Sequence, residues 1–376
     1  MRNPFIINGI IPDHNFCDRV SETNKLVNCI HNQTNLLITS HRRMGKTQLI
    51  YHVYGQESIK NEFYTFYIDI LPSTSLREFT LLLGKEIYKT LVPFGAKTVD
   101  LFLSTLRSLY GNFGFDNVHG LPTFDIKLGD IPSPELTLSE IFTYLQNADK
   151  PCVCTIDEFQ QIGNYPEKNI EALLRSYVQK TGNCVFVFAG SDRHTLENMF
   201  NSPAKPFYNS VDTMYLDRID KGTYIEFIKE KFNEAGRKIS NSACEYVYEI
   251  FEGHTYYVHS TLHNAFANIK KTIEVDDIKR IIEAIIEDRE HTYLTQMSYL
   301  NLTHKETLIA IAKEYKAQEV TSVAFVKKHS LQSPSSVQNA IRNLLKLQII
   351  TYTQEDKKKI YTISDRFLQM WINNKY

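Results

Sequence analysis

One eight-residue loop constrains this chain more than any other feature. Asn35-Leu36-Leu37-Ile38-Thr39 has the length and apolar character of a buried strand. Ser40-His41-Arg42-Arg43-Met44-Gly45-Lys46-Thr47 follows it, and then Leu49, Ile50, Val53 and Tyr54 recur at helical spacing. A strand, a GxxxxGK[ST] loop and a helix make the phosphate-binding P-loop pattern, with Ser40 here in place of the first glycine.

The residue types suit that task. A loop leading into a helix N-terminus presents backbone N–H groups, and the helix dipole favours anions there. The stretch from Ser40 through Arg42, Arg43, Met44 and Gly45 to Gln48 would wrap the phosphates. Gly45 permits close backbone approach. Lys46 would reach the outer phosphates, and the Thr47 hydroxyl would ligate Mg²⁺.

A second signal lies about a hundred residues on. Val153-Cys154-Thr155-Ile156 is an apolar strand ending in Asp157-Glu158. Beside a P-loop, Asp157 would hold the Mg²⁺ of bound ATP and Glu158 would take the proton of an attacking water. A solvated strand end is the plainer reading of the pair taken alone. Ser191, in Ala189-Gly190-Ser191-Asp192, follows the next strand. It suits either a sensor of the outer phosphate or an ordinary helix N-cap. All three motifs stand at carboxyl ends of strands, where open parallel sheets bind ligands.

The surrounding pattern agrees. Tyr64–Ile70, Pro151–Ile156, Cys184–Ala189 and, more weakly, Asp212–Leu216 read as further strands between helical stretches. Near-continuous apolar strands of this kind belong to a parallel sheet buried on both faces. An α/β core is therefore expected over residues 1–220. Residues 93–135 interrupt it with five glycines and four prolines and little periodicity, which reads as a long insertion. Residues 221–300 carry only helical spacing, as in Ile278, Ile281, Ile282, Ile285 and Ile286. In residues 301–376, three helices (Glu306–Tyr315, Thr321–His329, Val337–Leu347) precede two strand-like runs, Gln348–Thr353 and Lys359–Ile363. Three helices and a hairpin are the order of a winged helix-turn-helix.

Charge sharpens this division. The whole chain carries a net charge of −1, which excludes a uniformly basic nucleic-acid coat. Residues 301–376 nevertheless hold 12 basic and six acidic side chains, against 30 and 37 in the first 300 residues. The third helix would expose Gln338, Asn339, Arg342, Asn343 and Lys346, and the wing carries Lys357, Lys358 and Lys359. Such a module could meet DNA through the helix and the wing, or could serve as a protein-contact surface. No run approaches a membrane span, the N-terminus does not read as a signal peptide, and six scattered cysteines suggest a reduced, cytoplasmic setting. Cys152 and Cys154 share one strand face and read as buried thiols rather than metal ligands.

The chain resembles the archaeal and bacterial P-loop ATPases of the AAA+/STAND-like group, particularly the version of Bacteroidetes-type bacteria. The matching segments are Phe16–Thr23, Ser40–Thr47, Thr155–Ile162, Glu171–Gln179, Phe188–His194, Lys205–Ser210 and Glu252–His259. The resemblance implies an AAA+-like (ASCE) ATPase core, a helical lid and a C-terminal winged helix. It implies that Ser40 is tolerated in the loop. Asp18-Arg19, with Glu22, would form a box beside the adenine, unless Arg19 merely pairs with Glu22. Gly253-His254 would be a lid motif approaching the phosphates, unless His254 is a plain helix-end histidine. It also implies an arginine where this chain has Ser210. An arginine finger is worth about 10³–10⁵ in rate. Slow turnover is therefore expected, unless Arg42, Arg175, Arg193 or a partner supplies the charge. The implied function is slow ATP hydrolysis that switches the winged helix between states on DNA, on a protein partner or in a homo-oligomer. The alternative is a nucleotide-regulated binding module with negligible turnover.

Overall fold

The computed structural model describes residues 2–109, 114–116, 121–123, 126–268, 272–355 and 358–376. Contacts divide the chain into two compact units, Ile10–Ile219 and Asp220–Tyr376, the latter joined by the N-terminal residues up to Gly9.

The first unit is built on five strands: β1 (Leu36–Ser40), β2 (Tyr64–Asp69), β3 (Cys152–Asp157), β4 (Cys184–Gly190) and β5 (Asp212–Leu216). Their order is β2-β3-β4-β1-β5, and every neighbouring pair is parallel. The three inner strands are buried along their whole length, whereas β2 and β5 at the edges alternate. Successive side chains face opposite sides of the sheet. Leu36, Ile38, Val153, Val185, Val187 and Ala189 therefore pack on one side with α1 (Val20–His31) and α2 (Lys46–Gly55). Leu37, Cys152, Cys154, Ile156, Phe186 and Phe188 pack on the other, with α3 (Leu76–Leu91).

Residues 93–135 hold more regular structure than their sparse periodicity suggests. The segment contains a ten-residue helix, α4 (Ala96–Thr105), and a short antiparallel pairing of Gly114–Asp116 with Leu121–Thr123. Val99, Phe102, Leu103 and Leu106 are helically spaced and buried. The Phe102 ring lies 4.9 Å from Tyr144 of α5 (Pro134–Asn147). Glycines and prolines at both ends mask this helix, but burying its apolar stripe outweighs their local preference.

In the second unit, α8 (Lys221–Glu234), α9 (Asn241–Ile250), α10 (Thr255–Asn268) and α11 (Val275–Asp288) follow α6 (Ile170–Lys180) and α7 (Arg193–Asn201) of the first. Phe5 is fully buried there, 5.2 Å from the Phe232 ring and 5.8 Å from His259. After α12 (Glu290–Ser298) come α13 (Leu302–Glu314), α14 (Val323–Lys328) and α15 (Pro334–Lys346). Ser322 and Ser333 cap the last two by accepting N–H bonds from Phe325 and Ser336. Strands β6 (Ala317–Gln318), β7 (Ile350–Glu355) and β8 (Lys358–Ile363) form an antiparallel sheet in the order β6-β8-β7. The chain ends on α16 (Arg366–Lys375), which buries Phe367, Leu368 and Trp371. Among the described residues, no helix is long and apolar enough to cross a membrane.

Candidate functional site

Because the strands are parallel, β1, β3 and β4 end on the same edge of the sheet. Register places Thr39 beside Gly190 and Asp69 beside Asp157. The loop after β1 turns with Arg43 at φ +67° and Gly45 at φ +94°. A Cβ on Gly45 would meet nothing within 4 Å, so its backbone conformation rather than space requires glycine. Gly45 is the N-cap of α2 and has no side chain to cap it, an end whose first N–H groups could receive an anion.

Lys46 is buried and its ammonium donates to Asp157 Oδ1. Thr47 Oγ1 donates to Asp157 Oδ2 at 3.3 Å, and the Tyr67 hydroxyl donates to the same oxygen. Burial by itself pushes the Asp157 carboxyl up. The Lys46 charge, its hydrogen bond, the Tyr67 hydroxyl and the Glu158 N–H outweigh that and hold it below the usual carboxylate value. Glu158 turns through φ +56°, and its N–H donates to Asp157 Oδ1 at 2.8 Å. Its carboxylate accepts from Ser191 Oγ at 3.0 Å and from the Gln160 amide. Arg42 Nε donates to Ser191 Oγ at 3.3 Å. One hydrogen-bonded chain thus joins the three motifs: Arg42, Ser191, Glu158, Asp157, Lys46. The helix after β4 is capped by Asp192, which accepts the Thr195 N–H at 3.1 Å. Ser191 is not the cap, and its hydroxyl is turned to Glu158.

Residues 16–261 match the family described as an ATPase domain predominantly from Archaea, and residues 291–374 match a probable winged helix domain. The chain belongs to this archaeal-type ATPase family. It is similar to an uncharacterised ATP-binding protein of Methanocaldococcus jannaschii, 24% identical over 331 residues, 80% of this chain and 83% of that one. A Walker-type ATPase of Pyrococcus abyssi superposes with a TM-score of 0.64 at 19% identity, covering 98% of this chain and 99% of that one. The ORC2 protein of Aeropyrum pernix, in ADPNP–ADP complexes, gives 0.59 at 12% identity over 99% and 97% of the two chains. The two structural likenesses concern the fold: an α/β P-loop sheet followed by helices and a winged helix. The protein is an ATP-binding P-loop ATPase with a C-terminal winged helix domain.

The remaining residues of this ATPase fall into three groups. Arg19 is buried and donates to Glu22 at 2.7 Å, to the Asp217 carbonyl at 2.6 Å and to the Met44 carbonyl at 3.4 Å. It therefore pairs with Glu22 and also ties the loop after β1 to the end of β5. Gln48 Oε1 accepts the Ile11 N–H at 3.0 Å, while Asp18 is exposed. His254 belongs to the second unit, just before α10 and after Gly253 at φ +69°.

Ser210 stands where the resemblance implies an arginine, and its hydroxyl donates to the Phe207 carbonyl at 2.6 Å. Arg193 pairs with Glu197 at 2.8 Å and lies over the Tyr215 ring, and Arg175 is half-buried on α6. Among the described residues, Arg42 differs from Arg175 and Arg193 in that its side chain donates to Ser191. Cys152 and Cys154 are buried, and burial pushes the Cys152 thiol up to about 12.

On the winged helix, Gln338, Asn339, Arg342, Asn343 and Lys346 are exposed along α15. Lys358 pairs with Glu319 at 3.1 Å and Lys359 lies 4.5 Å from the Tyr352 ring. Lys357 lies outside the described residues.

Sequence reasoning missed Tyr67, Asp69 and Gln160. Tyr67 and Asp69 share a face of β2, and it is the pairing of β2 with β3 that brings Tyr67 to Asp157 and sets Asp69 beside it. Burial raises the Asp69 carboxyl, and the nearby Asp157 and Glu158 add to that. Gln160 is held where a Cβ on Gly190 would come within 2.2 Å of its Oε1. Gly190 is thus the space that lets Gln160 brace Glu158. Hard oxygen donors on Thr47 and Asp157, adjacent to a phosphate loop, fit Mg²⁺, which takes one or two carboxylates and completes its shell with water and phosphate.

Proposed function

We propose that this ATPase binds ATP with Mg²⁺ on the loop Ser40–Thr47, hydrolyses it slowly, and uses the nucleotide state to control its winged helix. The observation that carries the catalytic part is the Glu158 carboxylate, braced by Ser191 and Gln160 beside Asp157. In this reading Lys46 turns from Asp157 to the phosphates, and Thr47 and Asp157 hold the metal. Bound Mg²⁺ supplies charge neutralisation on the phosphate oxygens. Glu158 accepts the proton of the water that attacks the outer phosphorus, the bond to the bridging oxygen breaks, and ADP and phosphate result. Ser191, bonded to both Arg42 and Glu158, senses whether the outer phosphate is present. Arg19 and Gln48 hold the loop from outside, Asp18 flanks the base site, and His254 belongs to the lid.

The proposed division is an ATPase core over 1–220, a lid over 221–300 and a winged helix over 301–376. Polar links support transmission within the second unit. Glu252, next to Gly253-His254, pairs with Lys316 at 2.8 Å and with Arg366 at 3.1 Å. The Tyr257 hydroxyl donates to the Ser364 carbonyl at 3.0 Å. A change at the lid motif would therefore be passed to the residue before β6 and to the start of α16. DNA is the proposed target, on the exposed polar face of α15 and the basic charge of residues 301–376. A salt titration of DNA binding tests this: Arg342→Ala with Lys346→Ala should weaken binding and reduce the salt dependence. Equal affinity for duplex DNA with and without these side chains would sink the DNA reading.

A second reading, a nucleotide-regulated binding module with negligible turnover, draws on Ser210 standing where an arginine is expected. Single-turnover hydrolysis by the purified protein separates the two. Measurable phosphate release that is lost in Glu158→Gln supports the enzyme, and none in the unaltered protein supports the module.

A further inference from the structure

The Tyr67 hydroxyl bonds to both residues that would hold the metal. It donates to Asp157 Oδ2 and lies 3.3 Å from Thr47 Oγ1, and Thr47 Oγ1 is itself 3.3 Å from that same carboxylate oxygen. Tyr67 is fixed from behind: its ring packs 4.8 Å from Tyr51 of α2 and against the apolar cluster on the α1–α2 side of the sheet. Register holds it on β2 opposite Thr155, two residues before Asp157 on β3. We propose that Tyr67 is a positioning residue for the magnesium site, holding Asp157 and Thr47 in their metal-ready orientations.

The two carboxylate oxygens have different partners. Oδ1 accepts from Lys46 and from the Glu158 N–H, whereas Oδ2 accepts from Thr47 and Tyr67. When Lys46 moves to the phosphates, Oδ1 loses its cation. The donors left to orient the carboxylate are then the Glu158 N–H, Thr47 and Tyr67. A phenol has one proton, and the carboxylate is the stronger acceptor for it. Thr47 then gives its own proton to Asp157 and turns its lone pairs outward, as a metal ligand must. Groups that orient metal ligands in this way typically alter metal affinity 10–100-fold when removed. Nothing in the loop motif or in Asp157-Glu158 points to this residue; it follows from the strand order.

The inference rests on the nucleotide reading of the loop, and the test separates the two. Binding of a fluorescent ATP analogue is followed as Mg²⁺ is titrated, for the unaltered protein, Tyr67→Phe, Asp157→Asn and the double variant. Tyr67→Phe keeps the ring and should keep the affinity measured in chelator. The Mg²⁺ needed for half-maximal tightening should rise about tenfold. Adding Tyr67→Phe to Asp157→Asn should produce little further loss, because Tyr67 acts through that carboxylate. An unchanged Mg²⁺ requirement overturns the inference while leaving the nucleotide site standing. A lower requirement also overturns it, since the phenol would then be competing with the metal. Full additivity in the double variant removes the role through Asp157. No binding of the analogue by the unaltered protein overturns the nucleotide site itself.

Discussion

Lys46 and Asp157 form an ion pair at the start of α2, with side chains only 8% and 5% exposed. Removing one partner of such a pair leaves a buried, unpaired charge. Lys46→Ala should therefore lower the stability of the first unit by about 3–5 kcal/mol. The pair also sets a pH dependence. The folded Asp157 carboxyl lies below its usual value, so its contribution is present above the unfolded carboxylate value of about 3.9 and is lost as pH falls through the lower folded one. Urea unfolding of the protein and of Asp157→Asn checks this. The stability difference between them should be large at neutral pH and shrink towards pH 3.

Glu158 predicts a separation of binding from chemistry. Its side chain accepts from Ser191 and Gln160, whereas Lys46 donates to Asp157, so Glu158→Gln should bind nucleotide with ordinary affinity. Single-turnover phosphate release should fall by about 10²–10⁴, the usual worth of a general base. Ser191→Ala should give a smaller loss. Equal release rates in Glu158→Gln and the unaltered protein would assign the base elsewhere.

These relationships were unequally visible in the sequence. The P-loop, the Asp157-Glu158 pair and the inner strands stand out because buried parallel strands are continuous apolar runs and the loop chemistry needs particular residues at fixed offsets. The winged helix was legible for a similar local reason: Ser322 and Ser333 announce their helices as caps. Tyr67 and Gln160 were invisible because their roles depend on which strands are neighbours and on the missing side chain of Gly190. α4 was hidden by flanking glycines and prolines, although Val99, Phe102 and Leu103 already carried its period. The role of Phe5 follows from its burial in the second unit, which no nearby pattern signals.

His259 should make the second unit acid-sensitive. The ring is buried between Phe5, Tyr224 and Phe227, and burial lowers its value to about 4. The unfolded imidazole takes a proton near pH 6.5 and the folded one does not, so stability falls as pH drops from that value towards 4. The loss between pH 7 and pH 5 should be about 2 kcal/mol. Denaturant unfolding of the protein and of His259→Phe at those two pH values measures it. The variant should lack this component of the pH dependence, and an equal slope in both would remove His259 as its source.

Glu252 should couple the helices of the second unit to its winged helix. Its pairs with Lys316 and Arg366 are part-exposed, so Glu252→Ala should cost on the order of 1 kcal/mol. Hydrogen exchange should rise in α16 and β6 while nucleotide affinity stays unchanged. Protection as in the unaltered protein would show that the aromatic contacts of Phe367 with Phe251 and Tyr257 suffice.

The central claim is that Ser40–Thr47 is a working nucleotide site. Calorimetric titration of ATP with Mg²⁺ into the protein and into Lys46→Ala, at a temperature where the variant stays folded, tests it most directly. The account predicts saturable one-site binding that the substitution abolishes. The same affinity in both proteins would contradict it.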